Sequence, residues 1–130
     1  MIKLALLSLG FSLICLGQTA EEYKSSVSAE RWMSMCRPIL DAKIQPDGRL
    51  QVTDGFDAGQ CAGSFETLGI LTSLFDGAKP VLNICGPPNH TLAQWVAIFA
   101  EYTKRNPKRY GEPFAIVAIA ALQEAYPCHK

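Results

Sequence analysis

Apolar and polar positions recur with the helical period in four stretches of this chain, preceded by an apolar run that has no period at all. Over residues 27–40, Val27, Trp32, Met35, Cys36 and Ile39 fall near the helical spacing, with Ser25 or Ser28 as the cap. Pro38 predicts that this helix ends or kinks nearby. A second helix is expected to start at Asp57, whose carboxylate can cap free backbone N–H groups while Gln60 reaches back. It sets Cys61, Phe65, Leu68, Thr72 and Phe75 on one face and ends at Gly77. Gly59, Gly63 and Gly69 each weaken it by up to about 1 kcal/mol, which points to another backbone packed closely against it.

The third helix has the strongest pattern. Thr91 is its cap and Gln94 the reciprocal partner, and Leu92, Trp95, Val96, Phe99 and Thr103 form the apolar stripe before Pro107. Glu101, Lys104 and Arg105 lie on the solvated side. A fourth helix begins near Pro113 and has no polar side chain from Phe114 to Leu122. Such a segment is expected to be buried all round, at the bundle centre or partly in a subunit interface. Between helices, residues 43–57 carry the turn signals Pro46-Asp47-Gly48 and Asp54-Gly55, with Leu50 and Val52 able to form a brief extended piece too short to found a sheet. Residues 78–89 hold Pro80, Pro87 and Pro88 and exclude regular helix. The expected fold is all-α, a small bundle of four helices, or five.

Composition changes meaning once the first run is set aside. Lys3, an uncharged apolar stretch over residues 4–16, and small or polar residues up to Ala20 form the pattern of a cleaved signal peptide over residues 1–20. The stretch is shorter than the roughly 20 residues a membrane helix needs. The leader implies export without stable membrane insertion after cleavage, and what remains, residues 21–130, has eleven basic and twelve acidic side chains, a balance unsuited to nucleic acid. Removal of Cys15 leaves Cys36, Cys61, Cys85 and Cys128, an even set that suits disulfides in an oxidising compartment.

Antiparallel packing of the third and fourth helices would bring Cys85 and Cys128 to the same end, and the same logic brings Cys36 near Cys61. Those two pairs are favoured, though four cysteines allow three connectivities. No C-x-x-C occurs, and His90 and His129 cannot complete a convincing metal site, so no metal or cofactor is expected. Glu66 in an apolar helix and Asp54 and Asp57 in turn or cap contexts imply no shared catalytic cleft, and no hydrolase or phosphate-loop motif is present. A non-catalytic binding protein fits these features.

The order of landmarks resembles the Rap/Tai immunity family, the resistance-associated and type VI amidase immunity proteins. The resemblance runs through Cys36, Cys61-Ala62-Gly63 with Gly69, Cys85-Gly86-Pro87, Thr91-x-x-Gln94, Tyr102, Asn106-Pro107 and the terminal Ala125-Tyr126-Pro127-Cys128. It covers residues 27–128. Ser64, followed by Phe65, stands where family members commonly carry an aromatic residue. The resemblance implies a helical, often dimeric periplasmic protein that blocks a peptidoglycan amidase delivered by a type VI secretion system, by occluding its active site and with no catalytic residue of its own. A periplasmic stress or chaperone-like binder of the same fold is the alternative.

Two loops are candidates for contact with such a partner. One is the loop around Asp47, Gly48 and Arg49; the other is the basic turn of Lys104, Arg105, Lys108 and Arg109. For the second, a solvated hairpin end with positive charge favourable to the preceding helix dipole is the preferred explanation.

Overall fold

The computed structural model describes residues 19–47, 49–53 and 55–128. The expected leader therefore lies outside the described residues except for Thr19 and Ala20, as do Gly48, Asp54 and His129. Among the described residues are six α-helices, α1 (Ala20–Ser26), α2 (Ala29–Met35), α3 (Arg37–Leu40), α4 (Gly55–Thr72), α5 (Leu92–Arg105) and α6 (Phe114–Ala125), together with a 3-10 turn at Pro107–Arg109. Two antiparallel hairpins of two-residue strands complete it: β1 (Lys43–Ile44) with β2 (Leu50–Gln51), and β3 (Phe75–Asp76) with β4 (Lys79–Pro80). The chain is largely helical, and neither hairpin joins a larger sheet.

The helix expected over residues 27–40 is two helices. Cys36 closes α2 and opens α3, with Pro38 in the first turn of α3, where a missing N–H costs nothing. Ser28 caps α2, accepting from the Arg31 amide at 3.3 Å. Two more of α2's free N–H groups bond to a distant loop, Ala29 to the Glu112 carbonyl at 2.8 Å and Glu30 to the Tyr110 carbonyl at 3.0 Å. The Phe114 amide returns a bond to the Val27 carbonyl at 2.7 Å. These bonds fasten the start of α2 to the start of α6.

Helix α4 departs from the sequence reading at both ends. It begins at Gly55, so Asp57 sits inside its first turn, where a carboxylate still favours the dipole, rather than at its cap. It ends at Thr72, and Phe75 leaves the apolar face to stand exposed on β3. Gly77 does adopt a positive φ, 62°, but in the turn of the β3–β4 hairpin instead of a helix terminus. Nor does a backbone pack against its glycines: a methyl group at Gly59 or Gly63 would meet open space, and one at Gly69 would rest 3.9 Å from the Trp95 ring.

The core is aromatic at its centre. Phe65 of α4, Phe99 of α5 and Phe114 of α6 meet edge to face with centroids 5.2 to 5.8 Å apart, and Trp32 of α2 stacks on Phe114 at 4.3 Å. Val96, Val117, Leu122 and the two cysteines Cys36 and Cys61 are completely buried around them. Buried Thr103 is satisfied by donating its hydroxyl to the Phe99 carbonyl at 2.7 Å. Helix α6 is not at the bundle centre: Val117, Ala118, Ala121 and Leu122 face inward, while Ala115 and Ile116 are exposed on its outer side.

Candidate functional site

Two disulfides hold the helices on which any contact surface is mounted. Cys36 is joined to Cys61, linking the α2–α3 junction to α4, and Cys85 to Cys128, linking the segment before α5 to the segment after α6. The second bridge is reinforced locally. The Cys85 amide donates to the Tyr126 carbonyl at 2.9 Å, Ile84 pairs with Pro127, and Gly86 lies against the Tyr126 ring, where a side chain would crowd it at 3.3 Å. All four described cysteines are bonded, and no group of three potential metal ligands occurs among the described residues.

Asp47 and Arg49 stand in the β1–β2 hairpin loop and hold each other. The Arg49 side chain donates to Asp47 at 2.7 Å, and the Arg49 amide donates to the same carboxylate at 3.0 Å. The Arg49 side chain, followed by its amide, keeps the Asp47 carboxyl below its ordinary pKa. Both side chains face solvent, and Ile44 and Leu50 are exposed beside them, so the hairpin presents a charged pair between apolar neighbours.

The four basic residues after α5 do not form one patch. Lys104 pairs with Glu101 at 2.9 Å, on the same helix. Arg105 crosses to Glu124 of α6 at 2.8 Å and lies over the Tyr102 ring at 5.9 Å. Arg109 is the most enclosed: it donates to both carboxylate oxygens of Glu112 and, at 2.6 Å, to the Tyr102 hydroxyl. The hydrogen bonds to Glu112 raise the Arg109 pKa, and those same bonds hold the Glu112 carboxyl below its ordinary range. Lys108 alone of the four has no hydrogen bond or ion pair among the described residues. The structure thus brings Asp47 together with Arg49, separates both from the α5–α6 turn, and engages three of that turn's four cations internally.

A concave region that sequence reasoning passed over lies elsewhere. Two adjoining hollows, about 420 and 540 Å3, open where the end of α4, the β3–β4 hairpin and the proline-rich segment before α5 meet. Ser73, His90 and Trp95 line both. The His90 imidazole stacks on the Trp95 indole with centroids 4.1 Å apart. The signal was present in the sequence as a lone histidine just ahead of a helix carrying a tryptophan. Phe75 keeps the helical spacing of α4, which conceals the hairpin rim beside that histidine.

A family model described as Rap1a immunity proteins matches residues 28–128, the span that contains both disulfides and every helix from α2 onward. The chain belongs to the Rap1a immunity protein family. No curated protein and no solved structure matches it. Membership in this immunity family implies binding of a cognate effector protein, and family members are typically exported. No described helix is long and apolar enough to cross a membrane.

Proposed function

We propose that this Rap1a family protein is a periplasmic immunity protein, exported by the signal peptide at residues 1–20, that binds a type VI secreted peptidoglycan amidase and occludes its active site. The observation that carries this reading is the family match across residues 28–128. Occlusion needs a rigid frame and an accessible projecting element, not reactive groups. Disulfides linking helices supply the first, and the β1–β2 hairpin with its exposed Asp47–Arg49 pair is our candidate for the second. On the α5–α6 turn, Lys108 is the basic side chain best disposed to reach a partner, with Lys104 and Arg105 at the edge of the contact. A homodimer joined through the outer face of α6 around Ile116 completes the proposal.

The test is an inhibition assay against type VI secreted peptidoglycan amidases. Stoichiometric loss of amidase activity is expected, with relief when Asp47 and Arg49 are both reversed in charge. A general stress or chaperone-like binder is the second reading, favoured by exposed Ile70, Leu74, Phe75 and Val81. That reading predicts suppression of aggregation of several unrelated unfolded proteins and no selectivity for an amidase.

A further inference from the structure

The groove at the end of α4 is lined by one carboxylate, that of Glu66. The Glu66 side chain, which lines the first hollow, has no hydrogen bond or ion pair among the described residues, and no Lys or Arg lines either hollow. Around this single carboxylate the walls are apolar. Ile70 on α4 is 66% exposed and Phe75 on β3 is 62% exposed, one bordering each hollow. Large side chains left this open mark a surface that gains by being covered. Trp95, shared by both hollows and 2% exposed, also carries in its indole Nε1 a buried donor with no partner.

From this juxtaposition we propose that the groove receives a segment of the effector in which an aromatic or large aliphatic side chain is followed by Lys or Arg. The apolar side chain enters against Trp95 and His90 between Ile70 and Phe75, and the cation is met by Glu66. The volumes, about 420 and 540 Å3, suit one or two side chains with their backbone. The proposal rests on the immunity reading only in naming the effector as the source of that segment.

Its test needs no effector. The protein, purified from the periplasm, is titrated at pH 7.5 with acetyl-Ala-Phe-Lys-Ala-amide and with acetyl-Ala-Phe-Glu-Ala-amide while the two tryptophan indole N–H resonances are followed by NMR. The Trp95 resonance is expected to shift and that of Trp32, stacked on Phe114 in the core, to stay still. Binding of the Glu peptide should be about fivefold weaker, the scale of one exposed ion pair. Glu66→Gln should erase that preference and keep the Trp95 shift. A silent Trp95 resonance, equal binding of the two peptides, or a Trp95 shift that follows protein concentration without peptide would overturn the proposal, the last by placing a second copy in the groove. Peptide binding without amidase inhibition would instead count against the immunity reading and leave the groove standing.

Discussion

In the turn between α5 and α6, Arg109 reaches a carboxylate three residues away and a tyrosine hydroxyl on the preceding helix, and the carbonyls of Tyr110 and Glu112 cap α2. In the β1–β2 hairpin, the Arg49 side chain reaches only Asp47 among the described residues, two residues back, and both side chains stand in solvent. Read along the chain, the two loops look alike, each a short charged connector rich in turn formers. In three dimensions the first is part of how the bundle closes and the second is attached to it. Charge in a loop therefore identifies a contact candidate only after the partners of each side chain are known.

The largest expected effect concerns the frame shared by both loops. Cys36→Ser with Cys61→Ser opens a loop that contains the β1–β2 hairpin, and chain entropy for a closed loop of this length gives a loss of about 3.5 kcal/mol, measurable by urea unfolding. Retained stability would mean that packing alone holds α4 to α2. Next, Arg109→Glu sets two carboxylates together and strips the Tyr102 hydroxyl of its donor. A cost of about 2 kcal/mol is expected for this partly buried network. A loss comparable to that of an ordinary surface change would erase the contrast between the loops.

Acid should act in the same direction. The folded-state pKa of Glu112 is depressed by Arg109, so the stability from this pair is complete above the ordinary carboxylate pKa of the unfolded chain. It is lost as pH falls through the lower folded value. Glu112→Gln should flatten this part of the stability profile between pH 5 and pH 2, as followed by thermal melts, and an unchanged profile would remove the pair from the account. Smaller still, Lys104→Glu with Arg105→Glu breaks two exposed pairs and should cost about 1 kcal/mol. The smallest is Arg49→Glu, expected to change stability by less than about 0.5 kcal/mol while weakening amidase binding. Equal affinity would take the hairpin out of the contact.

Local signals were the legible ones. Thr91 and Gln94 form the reciprocal cap of α5, with the Gln94 side chain accepting from the Thr91 amide at 2.8 Å and the Thr91 hydroxyl from the Gln94 amide at 3.3 Å. Pro38 marked the break between α2 and α3 because a fixed φ and a missing N–H act where they stand. What depended on distant partners was hidden. Phe75 keeps the helical spacing of α4, but the chain turns into a hairpin that no periodicity announces, and Gly77 signals a positive φ without saying in which turn. The roles of Arg109 and Tyr102 follow from a loop folding back on its own helix. His90 became notable only once the chain had stacked it on Trp95.

The account stands on binding to an amidase. Titration of a type VI secreted peptidoglycan amidase with this protein, with release of wall peptide as the readout, tests it most directly. Activity is predicted to fall linearly to zero at one binding site per amidase. Full hydrolysis in the presence of a tenfold excess would contradict it.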